Sequence, residues 1–235
     1  MQGLTALDLV ERELYLQSFY HFAKFCLGLD LMVPHVHGRM CAHLSAESLR
    51  KLICIPRGTF KSSVASVAYP IWRLQKKPDL RILLDSQLFT NSSTFLREIK
   101  GHYERNEKFI KLFGNKVGPV WNDTEIIVAD RTVIKKEASI VCSGIGAQKT
   151  SQHYDLIIAD DLSSYDNCKT PEHAQKVIDH YRLYTSLLDP GGEIVVIGTR
   201  YSEIDIIGFI IENELDIPKG DMKLFRKVYL GETGS

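Results

Sequence analysis

LICIPRGTFKSS, residues 52–63, changes character twice. Leu52 to Ile55 is a short apolar run of strand type, Pro56 to Phe60 reads as a loop, and Lys61-Ser62 opens a segment with helical spacing. Strand, loop and helix with Lys-Ser at the helix start is the layout of a cradle for nucleotide phosphates. Backbone N–H groups and the positive helix end face the phosphates, the lysine reaches the β and γ oxygens, and the hydroxyl holds Mg2+. The usual spelling, G-x-x-x-x-G-K-[ST], puts glycine where Ile55 and Phe60 stand. A phenylalanine beside the lysine is expected to be unable to relax into the positive φ that glycine allows. Taken alone, the stretch fits a plain loop as well as a cradle.

The chain has 235 residues, enough for one large domain, or one domain with an appendage, around a real core. Lys+Arg and Asp+Glu number 29 each, so any nucleic-acid contact must come from a local patch and not from net charge. Cys26, Cys41, Cys54, Cys142 and Cys168 include no C-x-x-C pair and are odd in number, the pattern of reduced thiols in a cytoplasm. The N-terminus lacks the apolar core of a signal peptide, and no stretch reaches the ~18 apolar residues of a membrane span. His35, His37 and His43 have no cysteine or carboxylate at ligand spacing, which favours polar or capping roles over zinc.

Outward from the cradle, apolar periodicity predicts a helix over 7–29 and a second over 37–49, introduced by Pro34. Helices are expected over 61–75 and over 89–113, the latter with a break near Asn106, and strands over 80–85 and 155–159. From Val117 to Gly144, the runs around Trp121, Ile126 to Val128, Thr132 to Ile134 and Ser139 to Val141 suggest a hairpin or meander. Thr170 is the expected N-cap of a helix over 171–188, closed by Asp189-Pro190-Gly191-Gly192. A strand over 193–198, a helix over 203–215 and a strand over 223–230 complete the pattern. Alternating apolar strands and helices predict an α/β fold with a mostly parallel sheet covered on both faces.

A phosphate cradle needs a metal-holding acid, and Asp160-Asp161 follows directly on the apolar strand DLIIA. In open parallel sheets ligands bind beyond the carboxyl ends of strands, so Asp160 is placed as the Mg2+ partner and Asp161 to orient or deprotonate an attacking water. The bland alternative is a pair of solvated turn aspartates. Gly198-Thr199-Arg200 also follows an apolar strand, and its hydroxyl and guanidinium are placed to sense a γ-phosphate. Arg57, four residues before Lys61, is placed to neutralise phosphate charge; otherwise it is a surface arginine with a solvated head.

With these clusters assembled, the chain resembles the ATPase (motor) domain of the large terminase subunit of tailed bacteriophages. The resemblance rests on residues 18–24, Pro34 to Gly38, Pro56 to Ser62 with Ala68 to Arg73, Phe95 to Ile99, Asp155 to Asp161 and Ile197 to Arg200. It is carried by their order and spacing, not by any one motif. It implies a P-loop NTPase of the ASCE type, with an N-terminal helical segment (1–49) packed on an ATPase core (50–230), a β-hairpin or meander insertion and a short tail (231–235). It also implies ATP and Mg2+ as cofactors, and Pro56, Arg57, Gly58, Thr59, Phe60, Lys61, Ser62 and Ser63 around the phosphates. Arg57, Lys61 and Asp161 are then the catalytic residues, Ser62 and Asp160 the metal ligands, and Thr199 and Arg200 the coupling motif.

The implied partners are double-stranded DNA, a portal protein and a small terminase subunit. A ring assembles at the procapsid portal vertex in the host cytoplasm, with a monomer when isolated and no membrane. Relatives continue into an RNase H-like nuclease; none is recognisable here, so an ATPase that cuts nothing is expected. The chain departs from the family at Phe60, at the adenine-reading glutamine, where His37 or Gly38 stands, and near the trans-acting arginine. There Gln152 stands and Lys149 is the nearest cation. Two rival readings remain open, a helicase-like nucleic-acid translocase and a non-hydrolysing nucleotide-binding assembly module.

Overall fold

A computed structural model describes residues 3–147 and 151–214 and the backbone of 222–226. The strands are β1 (Arg50–Cys54), β2 (Ile82–Ser86), β3 (Val117–Trp121), β4 (Glu125–Val128), β5 (Ile140–Gly144), β6 (Tyr154–Asp160), β7 (Leu188–Gly198) and β8 (Met222–Arg226). They form one sheet in the order β3-β4-β5-β2-β6-β7-β1-β8. From β5 to β8 every neighbouring pair is parallel, and β3 and β4 add an antiparallel hairpin at the β5 edge. This is the expected α/β P-loop architecture, with β7 inserted between the cradle strand β1 and the acid-bearing strand β6.

Helices α1 (Ala6–Gln17), α2 (Phe19–His21), α3 (Arg39–Ser45), α4 (Tyr69–Lys76), α5 (Phe89–Arg105) and α6 (Glu107–Phe113) precede the acid strand, and α7 (Pro171–Leu187) and α8 (Ile206–Asn213) follow it. Strand side chains alternate between faces, which divides the apolar residues into two cores. Ile53, Ile158 and Ile197 pack with Phe22, Met40, Tyr69 and Leu96 on one face. Leu52, Ile157 and Val196 pack with Val177, Tyr184 and Ile207 of α7 and α8 on the other. A parallel sheet buried on both faces needs this double cover, and each fully buried aliphatic side chain contributes about 1.5–3 kcal/mol. The N-terminal helices share the first core with the strands.

Several expected boundaries move, each for a local reason. The helix expected over 7–29 breaks at Ser18, whose backbone is extended and whose hydroxyl bonds His21 Nδ1 at 2.7 Å. The second helix starts earlier, in a π turn at Pro34–Gly38, and ends at Ser45. Asn106 does break the long helix, its side chain accepting from Phe109 N to cap α6. Thr132 to Ile134 is not a strand: Thr132 and Val133 donate to the Asp79 carboxylate, and Ile134 is fully exposed. Asp189 to Gly192 does not end the secondary structure but lies inside β7 as a register irregularity, with Gly191 at φ 81° and Asp189 paired to Arg81. Thr170 caps α7 as expected. Asp205 caps α8, which delays that helix to Ile206. Lys149 and the tail 231–235 lie outside the described residues.

Candidate functional site

β1, β6 and β7 end side by side, and their carboxyl ends build the site. Ile55 N donates to Gly198 O (3.2 Å) and Thr199 Oγ1 donates to Ile55 O (3.2 Å), so the cradle strand and the Gly-Thr-Arg segment are tied where the loop leaves the sheet. The loop folds on itself through Thr59 Oγ1 and Pro56 O (2.7 Å). Gly58 has φ 74° with open space around it, so backbone conformation and not crowding calls for glycine there.

Phe60 overturns the expectation made for it, because it adopts φ 60°, the left-handed conformation of the glycine it replaces. Such a conformation costs about 1–2 kcal/mol for an L side chain. The ring is held by packing on the first core and lies edge-on to His37, with ring centroids 6.3 Å apart. His37 is itself committed to the loop. Its Nδ1 accepts from Val33 N (2.9 Å), which leaves the proton on Nε2 to donate to Thr59 O (2.9 Å). His37 therefore braces the loop between β1 and Lys61.

Lys61 is buried and opens the helical stretch that follows, with the first N–H groups lacking intrahelical partners. Its Nζ lies 3.3 Å from Asp161 Oδ2. Asp161 is also left-handed, at φ 47°, and its N–H donates to Ile197 O at 2.8 Å. Asp160, next to it, is buried, and its Oδ2 accepts from Ser66 Oγ. Burial first, and then the charge of Asp161, pushes the Asp160 carboxyl up to about 6, while the hydroxyls of Ser66 and Ser62 and the charge of Lys61 pull it down. Ser62 and half-buried Ser63 lie at the start of the helical stretch, Ser63 being the first residue of a π segment, Ser63–Ala68.

The donor set fits a divalent cation. Oδ1 of Asp160 and Oδ1 of Asp161 are buried without a hydrogen-bond partner, and the Ser62 hydroxyl is near enough to help lower the Asp160 carboxyl. Hard oxygen ligands from one or two carboxylates and a hydroxyl, completed by phosphate and water, suit Mg2+. A Cβ on Gly198 would stand 3.1 Å from Ile207 Cδ1 and 3.6 Å from Asp161 Oδ1, so glycine keeps the space beside that acid clear. Among the described residues no three of His, Cys, Asp or Glu gather as a metal-binding group.

Of the residues singled out in sequence, Lys61, Ser62, Asp160, Asp161 and Thr199 converge. Arg57 is exposed, with its guanidinium carbon 5.0 Å from the centre of the Tyr201 ring. Arg200 is exposed and donates to Ser202 O (3.3 Å). Gln152 accepts from the Tyr154 hydroxyl (2.8 Å). Sequence reasoning missed the bracing by His37, the contact of Tyr201 and the bond of Ser66; the only available hint was that Ser66 follows Ser62 at helical spacing.

No protein-family model and no curated protein matches the chain. Among solved structures it is similar to a chain of the S. cerevisiae Dbp5 L327V complex with Nup159, Gle1 H337R, IP6 and ADP. The TM-score is 0.44 at 11% identity, over 96% of this chain and 53% of that one. The chain thus spans about half the length of that match, at a level of similarity that carries no conclusion about activity.

Proposed function

We propose that this chain is the ATP-hydrolysing motor domain of a viral DNA-packaging terminase, coupling ATP hydrolysis to translocation of double-stranded DNA into a procapsid. The observation that carries the ATPase reading is the convergence of Lys61, Ser62, Asp160 and Asp161 at the carboxyl ends of β1 and β6, under a loop with glycine-like backbone at Gly58 and Phe60. The packaging reading rests on the order and spacing of the motifs that resemble large terminases. The portal protein, the small terminase subunit and a ring of copies at the portal vertex in the host cytoplasm belong to that reading.

In this reading Lys61 exchanges Asp161 for the β and γ oxygens of the nucleotide, and the released Asp161 carboxylate orients and deprotonates the attacking water. Ser62 and Asp160 would hold Mg2+, which would supply charge neutralisation for the phosphates. Arg57 adds a positive charge from the loop. There is little covalent chemistry for the protein to perform, so positioning and charge neutralisation carry the rate.

The test is ATP turnover with Mg2+ by the wild-type chain, Lys61→Ala and Asp161→Asn over a range of protein concentrations. Turnover is expected to fall at least 100-fold (~3 kcal/mol) in both variants. Turnover per subunit is expected to rise with concentration or with added portal, because a neighbouring subunit supplies a cation in trans. Nucleotide binding with no turnover above the variants at any concentration, portal included, would favour the non-hydrolysing assembly module. Turnover stimulated by single-stranded nucleic acid and indifferent to portal would favour a helicase-like translocase.

A further inference from the structure

Between the cradle and α4, the helix departs from α geometry over Ser63–Ala68, where the backbone takes the wider π form. Single π turns are rare, intrinsically less favourable than α turns, and concentrated at functional sites. Ser66 lies one turn on from Ser62, and its hydroxyl reaches the carboxyl group of Asp160. Ser66 is fully buried between Val64, Ala65, Val67 and Ala68, all of them buried too. Its hydroxyl is a polar group in an apolar stretch, and it donates to Asp160 Oδ2 at 2.5 Å. The other oxygen, Oδ1, is buried and has no partner.

We infer that Ser66 is a positioning residue for the metal-bearing carboxylate: the π turn delivers its hydroxyl to one oxygen of Asp160 and so presents the other to a divalent cation. The inference rests on the proposed assignment of Asp160 as a metal ligand and extends it to a residue that does not itself touch the metal. Partners that orient a ligating group typically account for 10–100-fold in metal affinity. A hydroxyl serving only to anchor helix to sheet would affect stability and leave metal affinity alone.

The experiment measures the Mn2+ affinity of the ADP-bound chain by the electron paramagnetic resonance of free Mn2+, for wild type, Ser66→Ala, Ser66→Thr and Asp160→Asn. Thermal melts establish that each is folded. Ser66→Ala is expected to weaken Mn2+ about 10-fold, with ADP affinity in EDTA unchanged within twofold. Ser66→Thr, which keeps the hydroxyl, is expected to recover most of the loss. Should Ser66→Ala fail to fold, Ser66→Cys, a near-isostere with a weak donor, takes its place with the same expected direction. Mn2+ affinity within twofold of wild type in Ser66→Ala, or in Ser66→Cys where that variant stands in, alongside a clear loss in Asp160→Asn, overturns the role of Ser66 and spares the metal assignment. Asp160→Asn indistinguishable from wild type overturns both.

Discussion

Phe60 holds a conformation that its side chain resists, and the resistance is measurable. At φ 60° alanine carries the same backbone penalty as phenylalanine without a ring to offset it, whereas glycine carries none. Phe60→Gly is therefore expected to be more stable than Phe60→Ala by about 1 kcal/mol in urea unfolding, the reverse of the order in a helix. Equal stability of the two variants would count against the left-handed assignment. The sequence exposed the departure from the glycine spelling but not its resolution, because the φ of one residue is set by what its ring packs on. Here that is the first core and His37, brought up from another part of the chain. Lys61, Asp160 and Asp161 were legible because each directly adjoins an apolar run or a loop of recognisable type. Ser66 was not, since a π turn leaves no signature in residue order.

Beneath the sheet, three elements are joined by one carboxylate. Glu193 on β7 pairs with Lys51 on β1 (2.8 Å) and with Arg73 on α4 (2.8 Å), and Lys51 is almost wholly buried. Burial raises the Glu193 carboxyl, but the hydrogen bonds and charges of Arg73 and Lys51 outweigh it and hold the group below the ordinary glutamate value of 4.5. With the folded pKa depressed, the unfolded chain binds the proton more readily. The stabilisation is then present above pH 4.5 and lost as pH falls below it through the folded pKa. Glu193→Gln removes the charge that Lys51 and Arg73 share and is expected to cost on the order of 3 kcal/mol at pH 7. Wild type should lose its lead over Glu193→Gln as the pH drops below 4.5, as followed by urea unfolding at a series of pH values. A lead that stayed constant through acid pH would show that the ion pairs are not its source. The strand itself was legible from its apolar run. Its early start was not, because Asp189 to Gly192 has the composition of a turn and is kept in the sheet by pairing of Leu188 with Tyr154 and of Asp189 with Arg81.

For the molecule as a unit, the proposed nucleotide binding would be linked to folding. A ligand held only by the folded state at 100 times its Kd adds about 2.7 kcal/mol, which for a chain of this size raises Tm by about 5–10 °C. Mg-ADP is expected to produce that shift in wild type and none in Lys61→Ala, as read by differential scanning fluorimetry. A shift of equal size in both would place binding away from the cradle. Fold class was legible at this level because strands buried on both faces read as continuous apolar runs. The strand order was not. Nothing local in the chain says that β7 lies between β1 and β6, and that insertion brings Gly198 and Thr199 against both the loop and the acid.

The cap of α8 gives the insertion a mechanical meaning. Asp205, fully buried, accepts from Tyr201 N (2.6 Å) and Ser202 N (3.2 Å) with one oxygen and from Gly208 N (2.8 Å) with the other, while Ile206 N donates to Ser163 Oγ (3.2 Å). Four backbone N–H groups of the connection from β7 into α8 are thus held by two side chains, Asp205 and Ser163. A single carboxylate therefore splints the turn after β7 to the first turn of α8, tying the backbone of Tyr201 and Ser202 to that of Gly208.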